Sequence, residues 1–348
     1  MEPLRIGVLG CAGIARRRML PAFRACPGTE LVAVASRNHR RARETASEAG
    51  CEAVHGYAEL LSRPDVDAVY VPLPAALHER WIRAALEAGK HVLGEKPLTT
   101  DPAATTGLAE LAAASGLALR ENVMFVHHAQ HAAVRHLVAD GAIGEVRAFR
   151  AAFTVPRLPN GDIRYDPELG GGALWDTGVY PVRAALHFLG EDLEVVGATL
   201  TRGGPGLAVD TAGATLLRDA AGAGAHLTFG LEHAYRSEYE IWGSTGALMV
   251  DRAFTPPAGM PPRVRLQRGD EVTDLDLPRT TKCCARSPTS PMPLVRAPPW
   301  NPRRYTKRTC WTGYAEAPAS AEGRAVAAPH GSCMSADHLY RGRSTAHS

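Results

Sequence analysis

No stretch of the 348-residue chain approaches the ~18 consecutive apolar residues that a membrane span needs. The apolar run that follows Met1-Glu2-Pro3-Leu4-Arg5 is too short for a signal-peptide core. A cytoplasmic protein without a membrane partner is therefore expected. There is also no surplus of one charge: 39 Lys and Arg face 36 Asp and Glu, and a net charge of +3 is too small to draw a polyanion, so nucleic acid is not an expected partner. None of the seven cysteines forms a C-x-x-C pair, which leaves neither a zinc framework nor a disulfide framework to build on. His127, His128 and His131 invite a metal reading by spacing, but no neighbouring acid completes a ligand set, and no metal is expected. No internal repeat is present.

What is there is enough chain for two cores, since a single core stops growing at ~250 to 300 residues. From residue 4 to about 121, short β-branched runs (Arg5 to Leu9, Leu31 to Ser36, Ala68 to Val71, His91 to Leu93, Ala118 to Arg120) alternate with stretches at helical spacing. That alternation winds into βαβ units, a doubly wound parallel sheet with the α/β Rossmann architecture. Beyond residue 122, one helix over Ala129 to Asp140 gives way to eight alternating runs between Val146 and Leu277, punctuated by turns such as the one at 203–206. They predict an α+β domain with a large, mostly antiparallel open sheet. The expected division is 1–121 for the dinucleotide, 122–278 for substrate and oligomerisation, and a tail over 279–348.

The N-terminal turn Gly7-Val8-Leu9-Gly10-Cys11-Ala12-Gly13-Ile14-Ala15 follows a strand and opens a helix, as a pyrophosphate site requires. Gly10 begins the turn, Ala12 and Ala15 replace the usual second and third glycines, and Gly13 and Ile14 lie between them. After the second strand an NAD enzyme places an acid for the ribose 2′-hydroxyl. This chain has Ser36-Arg37, with Arg41 close behind, which suits a 2′-phosphate and predicts NADP (NADPH) as cofactor.

Two further segments carry the chemistry: Gly94-Glu95-Lys96-Pro97-Leu98, and Gly170-Gly171-Gly172 running into Asp176 and Tyr180. They supply an ammonium, a carboxylate and a phenol, and Asp176 and Tyr180 share a face of an α-helix. A protonated Lys96 beside Tyr180 lowers the phenol's pKa from its usual ~10. With these motifs the chain resembles the glucose-fructose oxidoreductase/inositol dehydrogenase (Gfo/Idh/MocA) family over about residues 4 to 277. Tyr180 and the Glu121 to His128 segment look like the family's NADPH-dependent 3-ketoreductases of nucleotide-linked deoxysugars in antibiotic pathways. The resemblance implies catalytic roles for Lys96, Tyr180 and Asp176. It implies a nucleotide-sugar (dTDP) substrate, and a dimer or tetramer formed through the antiparallel sheet. Cofactor contacts are expected also from Pro72, Leu73, His78, Glu95 and Lys96, and substrate contacts from Asn122, Phe125, Arg157, Arg164, Asp176 and Tyr180. Arg183 is a further candidate for the sugar diphosphate.

Two main alternatives stay open, and a third, ranked last, is nucleic-acid binding by the tail cluster Trp300, Arg303, Arg304, Tyr305, Lys307, Arg308 and Trp311. Of the main two, one is a dehydrogenase of free sugars, polyols or dihydrodiols. The other is a dinucleotide-binding protein without turnover. The second arises because 279–348 loses both periodicities and becomes rich in Pro, Arg, Ser and Thr, as either a disordered tail or a frame-shifted reading of a GC-rich gene would.

Overall fold

The computed structural model of the protein describes residues 2–203, 208–257 and 259–277. The expected turn falls largely on 204–207, and the expected tail begins at 279; both lie outside these residues.

Six parallel strands form the first sheet: β1 (Leu4–Leu9), β2 (Thr29–Ser36), β3 (Glu52–His55), β4 (Ala68–Val71), β5 (His91–Glu95) and β6 (Leu119–Asn122), in the order β3-β2-β1-β4-β5-β6. The four residues of β4 are all buried, the signature of a strand covered on both faces. Connecting helices are α1 (Leu20–Ala25), entered through a wider π-helical turn at Ala15–Met19, then α2 (His39–Ala49), α3 (Tyr57–Leu61), α4 (His78–Glu87) and α5 (Pro102–Ala114). Local chemistry sets their ends. Asn38 Oδ1 accepts from the Arg41 amide at the start of α2, and Asp101 Oδ1 accepts from the Ala103 amide at the start of α5. The sequence reading missed β3 and α3. At the sheet edge β3 is only partly buried and offers no apolar run, and α3 is barely more than one turn.

Strand order reverses between β1 and β4, and in sheets of this kind ligands occupy the crevice beyond the strand ends at that point. Gly10 and the Pro72-Leu73-Pro74 segment flank this crevice.

The second sheet has eight strands: β7 (Val146–Thr154), β8 (Leu193–Arg202), β9 (Asp210–Asp219), β10 (Gly224–Gly230), β11 (Arg236–Gly243), β12 (Ala247–Asp251), β13 (Arg263–Arg268) and β14 (Glu271–Leu275). Their order is β14-β13-β12-β11-β7-β10-β9-β8, and every pairing is antiparallel except that of β10 with β7. One face carries α6 (Ala129–Ala139) and α7 (Val179–Leu189) over a core in which Phe125, Phe149, Tyr239 and Phe254 are at most 1% exposed. Each such side chain contributes roughly 1.5–3 kcal/mol through burial. The opposite face is open, and Leu216 and Trp242 are exposed on it. No described helix is long and apolar enough to cross a membrane.

Candidate active site

The crevice at the first sheet begins with backbone. Gly10 has φ +120°, a conformation costly for any residue with a side chain, and a Cβ there would stand 3.0 Å from Leu73 Cδ2. Its amide donates to Ala35 O at 2.9 Å, which draws the turn against the end of β2. The helix that follows makes its first bond from the Arg16 amide to Ala12 O, so the amides of Ala12, Gly13, Ile14 and Ala15 form its open first turn. This side-chain-poor cradle with free donors fits a pyrophosphate.

At the end of β2, Ser36 is buried and its Oγ accepts from the Asn38 amide at 3.1 Å, leaving its own hydrogen to donate. Arg37 and Arg41 are exposed and form no ion pair with any described residue, whereas Arg40 faces Glu44 at 3.8 Å. A hydroxyl and two uncommitted guanidinium groups, with no acid at the strand end, fit the 2′-phosphate of NADP.

The second half of the site spans both sheets. Lys96 leaves the C-terminal end of β5, and its Nζ donates to Asp176 Oδ1 and to Asp176 O, both at 2.9 Å. The same ammonium lies 5.1 Å from the centroid of the Tyr180 ring. Asp176 Oδ2 accepts from Arg164 Nε at 2.6 Å, and Arg164 is held in turn by Asp162 at 3.1 Å. The Tyr180 ring rests on Phe153, Phe254 and Phe125, with centroids at 4.7, 5.7 and 5.9 Å. The segment bearing Asp176, Leu174–Gly178, is π-helical rather than α-helical, so the expected four-residue register with Tyr180 is widened at this point.

Burial and charge oppose each other here. Burial disfavours the Asp176 carboxylate, but Lys96 and Arg164 outweigh it and hold the group below the usual carboxylate range. Burial likewise disfavours the Lys96 ammonium, and Asp176 followed by Tyr180 reverses the balance, so Lys96 stays charged above its ordinary range. For Tyr180 burial wins: Lys96 pulls the phenol down, yet its pKa ends above the ordinary value. The expectation of a lowered phenol is thereby corrected. The lysine's effect has the expected sign, and desolvation by three aromatic rings exceeds it.

Several expected ligand contacts are committed within the protein. His78 is 1% exposed and its ring nitrogens lie 2.8 Å from Pro97 O and 2.8 Å from Leu73 O, so it ties two loops together and does not face a cofactor. Glu95 is buried and accepts from Tyr70 Oη and Asn122 Nδ2, both at 2.6 Å, which occupies Asn122 as well. Phe125 is fully buried behind Tyr180 and presents no surface to a substrate. Arg164 braces Asp176. Arg157 is exposed and 3.3 Å from Glu232, and Arg183 is partly buried and paired with Glu121. In this structure each of these side chains is buried or already has a partner within the protein.

The sequence reading also missed Asp210. From the start of β9 its Oδ2 accepts from the Leu174 amide at 2.7 Å, and a Cβ on Gly172, where φ is +126°, would fall 2.4 Å from its Oδ1. Burial pushes its carboxyl up, and Oδ1 has no hydrogen-bond partner. An acid opening a strand, after a glycine triplet with no acid of its own to cap the next helix, was the available signal.

The family model for an oxidoreductase family with an NAD-binding Rossmann fold (GFO_IDH_MocA) matches residues 4–123, and that for the GFO/IDH/MocA C-terminal domain matches residues 131–249. The dTDP-3,4-didehydro-2,6-dideoxy-alpha-D-glucose 3-reductase of Saccharopolyspora spinosa is 54% identical over 277 residues, covering 80% of this chain and 83% of that one. The enzyme of the same name from Streptomyces antibioticus is 53% identical over 275 residues, covering 79% and 84%. Among solved structures, a 3-ketoreductase from Actinomadura kijaniata in complex with NADP and TDP-benzene superposes with a TM-score of 0.79 at 52% identity, covering 82% of this chain and 87% of that one. Structures of that enzyme also exist with one lysine changed to alanine and with one tyrosine changed to phenylalanine. In its chain those two residues are separated by as many positions as Lys96 and Tyr180 are here.

Proposed function

The chain belongs to the Gfo/Idh/MocA oxidoreductase family, and from that premise we propose that it reduces the C3 ketone of a dTDP-linked keto-deoxysugar with NADPH, as part of deoxysugar formation for antibiotics. One observation carries the reading. An ammonium pinned by a carboxylate lies over the face of a partly buried phenol, in a chain more than half identical to 3-reductases along most of its length.

When bound, the reduced nicotinamide supplies a hydride to the sugar carbon. The chain's residues do the rest. Tyr180 enters as the phenol, because burial keeps its proton on through neutral pH, and it gives that proton to the oxygen at C3 as negative charge develops there. The phenolate left behind is stabilised by Lys96, whose charge is fixed by Asp176 and, behind it, Arg164. Asp176 positions Lys96 and also pairs with the half-exposed guanidinium of Arg164. Ser36, Arg37 and Arg41 hold the 2′-phosphate, and the turn from Gly10 to Ala15 holds the pyrophosphate. Such a reaction, fed by NADPH and a nucleotide sugar, belongs in the cytoplasm. We place the contacts between copies, as dimer or tetramer, on the open face of the second sheet, where Arg150 stacks 5.4 Å from the exposed Trp242 ring.

The test supplies the full chain with NADPH deuterated at the transferring position and with dTDP-3,4-didehydro-2,6-dideoxy-α-D-glucose. NADPH should be consumed and deuterium should appear at C3 of the product. Deuterium at another carbon, or equal kcat/KM on a free sugar lacking the nucleotide, would replace this reading with a dehydrogenase of free sugars.

A further inference from the structure

One carboxylate touches both halves of the catalytic centre without meeting either reacting group. Glu121, next to the end of β6, has a side chain only 11% exposed. Its Oε1 accepts from the Leu98 amide at 2.9 Å, and its Oε2 accepts from Arg183. Leu98 lies two residues beyond Lys96, and Arg183 lies three residues beyond Tyr180 on α7. The bridge therefore runs from the loop that presents the lysine, through a strand of the first sheet, to the helix that presents the tyrosine.

Stability is a poor explanation for this pair. Removing two charges from water is expensive, and apolar replacements of buried pairs are often neutral or stabilising. Arg183 is 19% exposed at its side chain, its Nε has no partner, and Glu121 is the only carboxylate paired with it among the described residues. A guanidinium so placed has one fixed position, and Glu121 sets it. We propose that Glu121, acting through Arg183, is a positioning residue that sets the distance between Lys96 and Tyr180; the inference rests on the proposed roles of those two residues.

The test uses the full chain with Glu121→Gln, Arg183→Gln, Arg183→Lys and the Glu121→Gln/Arg183→Gln double variant. Gln at 121 keeps an acceptor for the Leu98 amide and removes only the charge. Each Gln variant should lower kcat by about 10²-fold, the scale of a displacement of ~1 Å at a reacting group, with KM for NADPH within about two-fold of wild type. The double variant should lose no more than the worse single one, because both break one link. Arg183→Lys should recover part of the loss. A readout independent of turnover is the ultraviolet titration of Tyr180, taken as the difference from Tyr180→Phe. It should move upward in the Gln variants, because the aromatic packing of the ring does not depend on Glu121 whereas the pull of Lys96 does. An unmoved titration overturns the proposal, and so do losses that multiply in the double variant. If Glu121→Gln does not fold, the order wild type, Lys, Gln at position 183 decides: graded titration and kcat support the bridge, and three equal values defeat it. Absence of wild-type turnover would count against the proposed reaction, while the Tyr180 titration would still judge Glu121.

Discussion

The cofactor crevice and the catalytic cleft are built on opposite plans. The crevice is local and made of backbone: Gly10, the open amides after it, and Ser36 and Arg37 at the next strand end all lie within the first 41 residues, and the two guanidinium groups are exposed. The cleft is non-local and made of side chains that are buried or partly buried. Lys96 meets Asp176 80 positions away, Glu121 meets Arg183 across 62, and Asp210 reaches back 36 to the Leu174 amide. Exposed charges in water are worth little individually, whereas buried ones are worth a great deal when paired and are costly when orphaned. Changes in the cleft should therefore be severe and felt in kcat, and changes at the crevice mild and felt in cofactor affinity.

The sharpest contrast comes from the reacting groups. Tyr180→Phe and Lys96→Ala should each reduce kcat by roughly 10²- to 10⁴-fold, the span of a lost general acid and its electrostatic partner, while NADPH binding measured by fluorescence stays near wild type. The pH profile carries an independent sign. In the proposed reaction the active form of Tyr180 is the phenol, and its pKa is raised by burial against the partial pull of Lys96, so kcat should hold through neutral pH and fall only as pH climbs past that raised value. In Lys96→Ala the pull disappears, and the residual alkaline limb should move to still higher pH. A limb that moved downward would mean that the lysine is not acting on the phenol.

The two plans also explain what could be read from the chain. The glycine turn, the parallel strands and all eight runs of the second sheet were legible because period-two alternation and strand-turn-helix order are properties of contiguous residues. Short β3 at the sheet edge was not, for want of an apolar run. In the cleft, Lys96, Asp176 and Tyr180 were legible by resemblance, but their electrostatic balance was not. The lysine's pull could be anticipated, while the desolvation by Phe125, Phe153 and Phe254 depends on packing between residues 27 to 74 positions apart. Arginines look alike in a sequence. Only the fold assigns Arg164 to Asp176, Arg183 to Glu121, and leaves Arg37 and Arg41 without an ion pair among the described residues.

An intermediate effect should come from the turn that aims the catalytic helix. Gly172→Ala forces a side chain into φ +126° and onto Asp210 Oδ1. The backbone strain alone is of order 1–3 kcal/mol. Thermal unfolding should register that loss, and kcat should fall by about 10- to 100-fold as Asp176 and Tyr180 shift together. Asp210→Ala removes the carboxylate and leaves the Leu174 amide unpaired, so it should lower kcat in the same direction. Normal kcat in both would show that the helix is aimed by its packing on the second sheet alone.

The smallest effect is expected at the crevice, and it tests the comparison from the other side. Arg37 is exposed, so each contact it makes to a 2′-phosphate is screened by water and salt, and one such contact is worth on the order of 1.4 kcal/mol, or tenfold. Ser36 is buried and its Oγ already serves the Asn38 amide, so an aspartate there keeps an acceptor for that amide while adding a charge that repels a phosphate and suits a ribose hydroxyl. Ser36→Asp with Arg37→Ala should therefore raise KM for NADPH by about tenfold or more, lower KM for NADH, and leave kcat near wild type with either cofactor. The preference for NADPH should also weaken with added salt in the wild-type protein and hardly at all in the variant, because the charge that salt screens is gone. A double variant that kept its NADPH preference would move the 2′-phosphate away from the end of β2. A variant whose kcat collapsed would show that the crevice and the cleft are coupled, and that the separation between a mild, exposed cofactor edge and a severe, buried catalytic centre does not hold.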